Sequence, residues 1–245
     1  MAVGKFSGLD RYTLQARLLP VVIVFLPIGL AITSVFPINE IGWGILTSSL
    51  SGLTFVAFLA QIGRDLGKKM EPYLYEKWGG KPTSIIMRYK QTWLNPESLS
   101  RYHKKLSEIL KVAQPSKEQE DNDPNEADKK YGTFVDYLKE KTRDHTAFPL
   151  VIEENINYGF RRNLWGMKSV GIILSLLAVI VPYFSFFLSQ FIKLSMTKFN
   201  FIASAISACF LVFWVFRITP TWVKIAANAY AERLVTSCEN IDAEN

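Results

Sequence analysis

Cysteine and histidine are nearly missing: the 245 residues hold two of each. Cys209 falls inside an apolar run and Cys238 beyond it, so the two cannot pair and no disulfide framework exists. Two histidines without a Cys–His cluster argue against a zinc site. The Gly-x-x-x-x-Gly-Lys-Ser/Thr spacing of a phosphate-binding loop does not occur. No serine or cysteine motif offers His145, beside Asp144, a nucleophile to activate. The chain therefore reads as no enzyme, with no cofactor implied.

Charge is absent from four long stretches, 18–38, 41–62, 169–192 and 199–216. Each holds 18 to 24 residues, enough for a helix to cross a hydrocarbon core of ~30 Å at 1.5 Å of rise per residue. The mean hydropathy of +0.12 averages these runs with a charged middle. The expected fold class is an all-α membrane protein: four transmembrane helices in two hairpins, with a helical cytoplasmic domain inserted between spans 2 and 3. Its parts are an N-terminus 1–17, hairpin one 18–63, the domain 64–168, hairpin two 169–216 and a C-terminal tail 217–245. No small-residue cleavage site follows the first run, so it is expected to be retained.

Lys and Arg number three in 1–17, none in 38–41, twenty in 64–168, two in 193–198 and three from Arg217 onward. By the positive-inside rule both termini and the large insert face the cytoplasm, as in a multi-pass protein of the cell inner membrane. Pro20 and Pro27 are expected to bend the first span. Gly44, Ser48 and Gly52 recur at four-residue spacing in the second and form a face that lets another helix approach closely. That helix belongs to the same chain or to a second copy, or the face is a wet pore wall. Ala203, Ser204, Ser207 and Ala208 repeat the pattern weakly in the fourth span.

In the insert, Gly79-Gly80-Lys81-Pro82 reads as a stop and turn. Asn95-Pro96-Glu97 opens a helix to about 112 with Leu99, Tyr102, Leu106, Ile109 and Leu110 on one face. Residues 114–128, with six acids, one lysine and Ala127 as the sole apolar residue, read as a solvated loop or disordered linker. Asp123-Pro124 starts another helix through about 143, its stripe being Tyr131, Phe134, Val135 and Leu138. A last helix, 150–165, feeds the third span at Gly166. His103, among Arg101, Lys104 and Lys105, reads as part of a solvated basic face.

Arg64, Asp65, Lys68 and Lys69 leave span 2 near where Tyr158, Arg161, Arg162 and Lys168 approach span 3. Interfacial anchoring explains basic residues there, and Trp165 suits an aromatic belt. A coupling network of Arg64, Asp65, Tyr158, Arg161 and Arg162 is the sharper expectation. Lys81, Thr83 and Arg88, beside the glycine pair, are the candidate ligand contacts, a nucleotide being one class such a turn admits. No module motif supports nucleic-acid binding. The expected partners are the lipid bilayer, further copies of the chain and a cytoplasmic protein encoded nearby.

Arg64-Asp65-x-Gly67-Lys68-x-x-Glu71, Trp78-Gly79-Gly80-Lys81-Pro82-Thr83 and Glu154-Asn155-x-x-Tyr158-Gly159-Phe160-Arg161-Arg162-Asn163-Leu164-Trp165-Gly166 resemble uncharacterised bacterial four-span membrane proteins. The likeness covers mainly 64–166 and carries no activity. The overall plan is also similar to the four-span membrane effectors of antiphage defence systems. That likeness implies an effector or signalling component whose cytoplasmic domain senses a ligand or partner and whose oligomerised spans permeabilise or perturb the membrane. A non-catalytic anchor that recruits a soluble enzyme is the alternative, and a lipid-modifying enzyme is a third.

Overall fold

Every regular element among the described residues is helical, with no strand. The computed structural model describes residues 11–35, 49–188 and 198–241. They form two compact units, Met1–Glu71 with Gly159–Trp222, and Pro72–Tyr158 with Val223–Asn245.

Two helices are long and apolar enough to cross a membrane, Thr13–Val35 and Lys198–Arg217. A third span exists if Pro149–Gly166 and Lys168–Phe184, bent by 61° at their junction, form one broken element. The second apolar run is described only from Ser49, where the Ser49–Lys69 helix begins. Gly44 and Ser48 lie outside the described residues, and of that trio Gly52 alone falls within a described helix.

In the first unit the Leu19–Val35 helix packs against Lys168–Leu188 and Lys198–Val212. The contact surfaces are small: Ala31, Ala178, Ala203, Ser204 and Ser207 are all buried. Ser204 donates across to the Val179 carbonyl at 3.3 Å. Three of the four small residues read from the fourth span thus pack within the chain, while Ala208 stays exposed. Small residues at a contact let helix backbones approach closely. The helix runs on through Pro27. Its first turns, Thr13–Leu18, are wound as a π-helix.

The second unit has a conventional core. Asn95 Oδ1 accepts from Glu97 N at 2.9 Å and starts Pro96–Leu110. Lys111, left-handed at φ 53°, ends it. Leu99, Tyr102 and Leu106 meet Tyr131, Phe134, Val135 and Leu138 of Pro124–Lys141. Two expectations are corrected here. Residues 114–128 are not a solvated linker: Ser116 and Gln119 form a reciprocal capping box on the Lys117–Asn122 helix. Nor is the described part of the expected tail 217–245, residues 217–241, separate from the core, because the Pro220–Thr236 helix and the turn after it lay Ala231, Leu234, Val235, Cys238 and Ile241 into it. The apolar spacing of that segment is helical, and its face has to be covered.

Candidate functional site

The glycine pair shapes a cleft in the second unit. Gly79 and Gly80 adopt φ +82° and +135°, which only glycine takes without strain. Arg88 braces them from below. Its Nη1 donates to the Gly79 carbonyl at 3.2 Å, while Nε and Nη2 hold Asp128 in a fork at 2.9 and 2.6 Å. The bond to Asp128 raises the Arg88 pKa against the opposing effect of burial. The resulting cleft is about 650 Å3 and is lined by Lys81, Ser84, Arg88, Asp128, Thr133 and Asp136 among others. Lys81 is exposed on its rim, and Thr83, by contrast, is buried and does not line it.

Close to the Arg88–Asp128 pair in the same unit is a buried polar layer that the sequence reading missed. Glu120, 3% exposed, accepts from the Tyr131 hydroxyl at 2.7 Å and from the Tyr89 backbone N–H at 3.0 Å. Burial, reinforced by Glu120, raises the Tyr131 phenol well above its ordinary value, so it remains a donor. His103 is fully buried, stacked on Tyr131 with centroids 5.3 Å apart and edge-on to Tyr89 at 5.1 Å. It is no part of a solvated basic face. Its Nε2 lies 2.8 Å from the Met87 carbonyl and so carries the proton, leaving Nδ1 buried without a hydrogen-bond partner among the described residues. The Ser116-x-x-Gln119 capping signature was the one sequence signal for this layer. It ties down the short helix from which Glu120 reaches inward.

Burial lowers the His103 pKa, partly opposed by the Met87 bond and Glu120. An unfolded chain therefore takes up the proton first, at about the ordinary 6.5. Stability contributed by the neutral ring is complete above that pH and declines as pH falls toward the lowered folded value. The thermal midpoint of the purified protein is expected to drop between pH 7.5 and 5.5, and His103→Gln to flatten part of that slope. Superimposable slopes for the two proteins would contradict the assignment.

The first unit holds a second polar arrangement, built around Arg162. Its Nη1 pairs with Glu71 Oε1 at 2.7 Å, the side chains being 5% and 14% exposed. Its Nε and Nη2 donate to Asn163 Oδ1 at 3.2 and 3.1 Å, and Asn163 Nδ2 donates to the Ala16 carbonyl in the π-helix at 2.7 Å. Glu71 also accepts from Lys68. Three helical segments are joined at one point, and a close backbone crossing makes that possible. A Cβ on Gly166 would stand 2.5 Å from the Gly67 nitrogen, and one on Gly67 would strike Asn163 Oδ1.

Of the expected coupling residues, Arg162 is at the centre of this network. Arg161 instead lies over the Trp222 ring and donates to its carbonyl at 3.0 Å. Tyr158 belongs to the second unit, its hydroxyl 3.3 Å from that of Tyr75. Asp65 is exposed and Arg64 half-buried, and neither pairs with Arg162.

No protein-family profile, curated protein or solved structure matches the chain. Among the described residues no group of three or more His, Cys, Asp or Glu is arranged to hold a metal ion.

Proposed function

We propose that the chain is an inner-membrane effector or signalling component without an enzymatic step. In this reading four helices in two hairpins cross the bilayer, and both termini and the polar unit face the cytoplasm. A charged ligand, such as a nucleotide, enters the cleft beside Lys81 and Arg88. The oligomerised spans then permeabilise or perturb the membrane. One observation carries most weight. Among the described residues, 23 of the 27 large hydrophobic side chains left exposed belong to the first unit, and four to the second. The second unit therefore closes a core of its own, whereas the first presents a surface that water does not tolerate and lipid does.

The two units share a helix. The Pro149–Gly166 helix contributes its first ten residues to the polar unit and its last eight, with Arg162, to the apolar one. A continuous helix transmits displacement along its axis. The basic bias of 64–168 supports the cytoplasmic orientation, and the architectural resemblance to antiphage effectors supports the perturbing role.

Overproduction in bacterial cells, followed with a potential-sensitive dye, tests the reading without requiring the ligand, because a higher protein concentration favours oligomers by mass action. Depolarisation is expected, and Arg162→Lys, which keeps the charge but loses the fork to Asn163, is expected to reduce it at equal membrane abundance. Cells that keep full potential with the protein abundant in their membranes would reject the effector reading in favour of a non-catalytic anchor.

A further inference from the structure

Apart from Lys198, every described lysine and arginine of the first unit lies in 11–17, 64–69, 161–168 or at 217. These are the same ends of the packed helices, since Asn163 bonds Ala16, Arg162 bonds Glu71 and Lys168 bonds Val215 and Ile218. Among the described residues two carboxylates share that end, Asp65 and Glu71, and Glu71 is bonded by Arg162 and Lys68.

At this end two guanidiniums converge on one indole. The Cζ of Arg161 is 5.0 Å and that of Arg217 5.5 Å from the Trp222 ring centroid. Trp222 is buried and Arg217 exposed. Arg217 makes no side-chain hydrogen bond among the described residues. Arg161 commits Nη1 to the Trp222 carbonyl, whereas the exposed Arg217 guanidinium offers the fork of N–H groups that suits a phosphate. Lys168 removes the main obstacle to an anion there. The carbonyls that end the Lys198–Arg217 helix carry partial negative charge, and Lys168 Nζ donates to those of Val215 and Ile218 at 3.2 and 2.7 Å. Immediately before Arg217 in the chain stand Val212, Val215 and Phe216, 57%, 43% and 75% exposed. An apolar face beneath an outward guanidinium fits an acyl chain below its phosphate.

We propose that Arg161, Arg217 and Trp222 form a binding site for the headgroup phosphate of an anionic phospholipid, with Val212, Val215 and Phe216 against its acyl chains. This rests on the reading that the apolar helices lie in a bilayer, which is checked first: the protein must require detergent for extraction. Native mass spectrometry and thermal midpoints of the detergent-solubilised full chain are then compared with phosphatidylglycerol, phosphatidylcholine and inorganic phosphate. Phosphatidylglycerol is expected to be retained and to raise the midpoint. Arg217→Gln should weaken its retention roughly fivefold, the value of one juxtamembrane charge. Lys198→Gln, an equal loss of charge at the other end of its span, should leave retention unchanged. Equal retention of the two lipids, or equal loss in the two variants, would overturn the site, and stabilisation by inorganic phosphate alone would make it a free-phosphate site instead. Extraction without detergent would bring down the membrane reading, an outcome distinct from all of these.

Discussion

Arg162→Met is expected to lower the stability of the apolar unit by about 3 kcal/mol, because it strands a carboxylate away from water. Glu71, 14% exposed, would lose its 2.7 Å pair and retain the longer contact with Lys68 at 3.3 Å. Asn163 Oδ1 would lose two N–H donors, and with them the orientation that holds its amide on Ala16. The double variant Glu71→Met/Arg162→Met removes both charges and replaces them with apolar volume, so it should recover most of the loss. Thermal midpoints of the four proteins in detergent give the coupling energy. If Arg162→Met melts with the parent, or the double variant is as unstable as the two single losses added together, the pair does not hold these helices.

Arg162 also shows how far the sequence could be read. A basic pair before a span is visible in any sequence, and both Arg161 and Arg162 suit interfacial anchoring. Which of them faces inward depends on the Gly67–Gly166 crossing, and that crossing brings together residues about a hundred positions apart. The capped helices were legible because their determinants are local: Asn95 bonds a residue two positions on, and Gly79 and Gly80 turn the chain by themselves. The stripe of Tyr131, Phe134, Val135 and Leu138 followed from period alone. Glu120 was hidden among five other acids, since the hydroxyl and N–H that accept its burial come from Tyr131 and Tyr89. His103 was hidden by three basic neighbours in sequence that point elsewhere on the helix.

Deletion of 223–245 is expected to unfold the polar unit. A free tail could be removed at no cost, but Leu234, Val235 and Cys238 are wholly buried in the same core as Leu106 and Phe134. Removing even one such leucine typically costs 2–5 kcal/mol, a large share of a domain's whole stability. The contribution extends to the rim, where Glu239 accepts from Arg101 and from the Tyr102 hydroxyl at 2.8 and 3.0 Å. Limited proteolysis of membranes carrying the shortened chain should cut within 72–158 at protease levels that leave the full chain intact. Leu234→Ala, a milder change, should shift the midpoint downward while preserving the fold. Resistance of the shortened chain equal to the parent's would show that the C-terminal segment is dispensable to this core.

Cysteine accessibility at Lys104 tests the bilayer arrangement most directly. Lys104 is exposed on the polar unit. Cys238 is buried, with burial pushing its thiol up to about 11, so it stays silent at neutral pH, and Cys209→Ser removes the other native thiol. A chain carrying Lys104→Cys and Cys209→Ser, produced in bacterial cells, is treated with a membrane-impermeant maleimide before and after permeabilisation of the inner membrane. Helices that span the bilayer with the polar unit inside predict no label in intact cells and full label once the membrane is opened. Labelling in intact cells, or recovery of the native protein in a lipid-free aqueous extract, would contradict it.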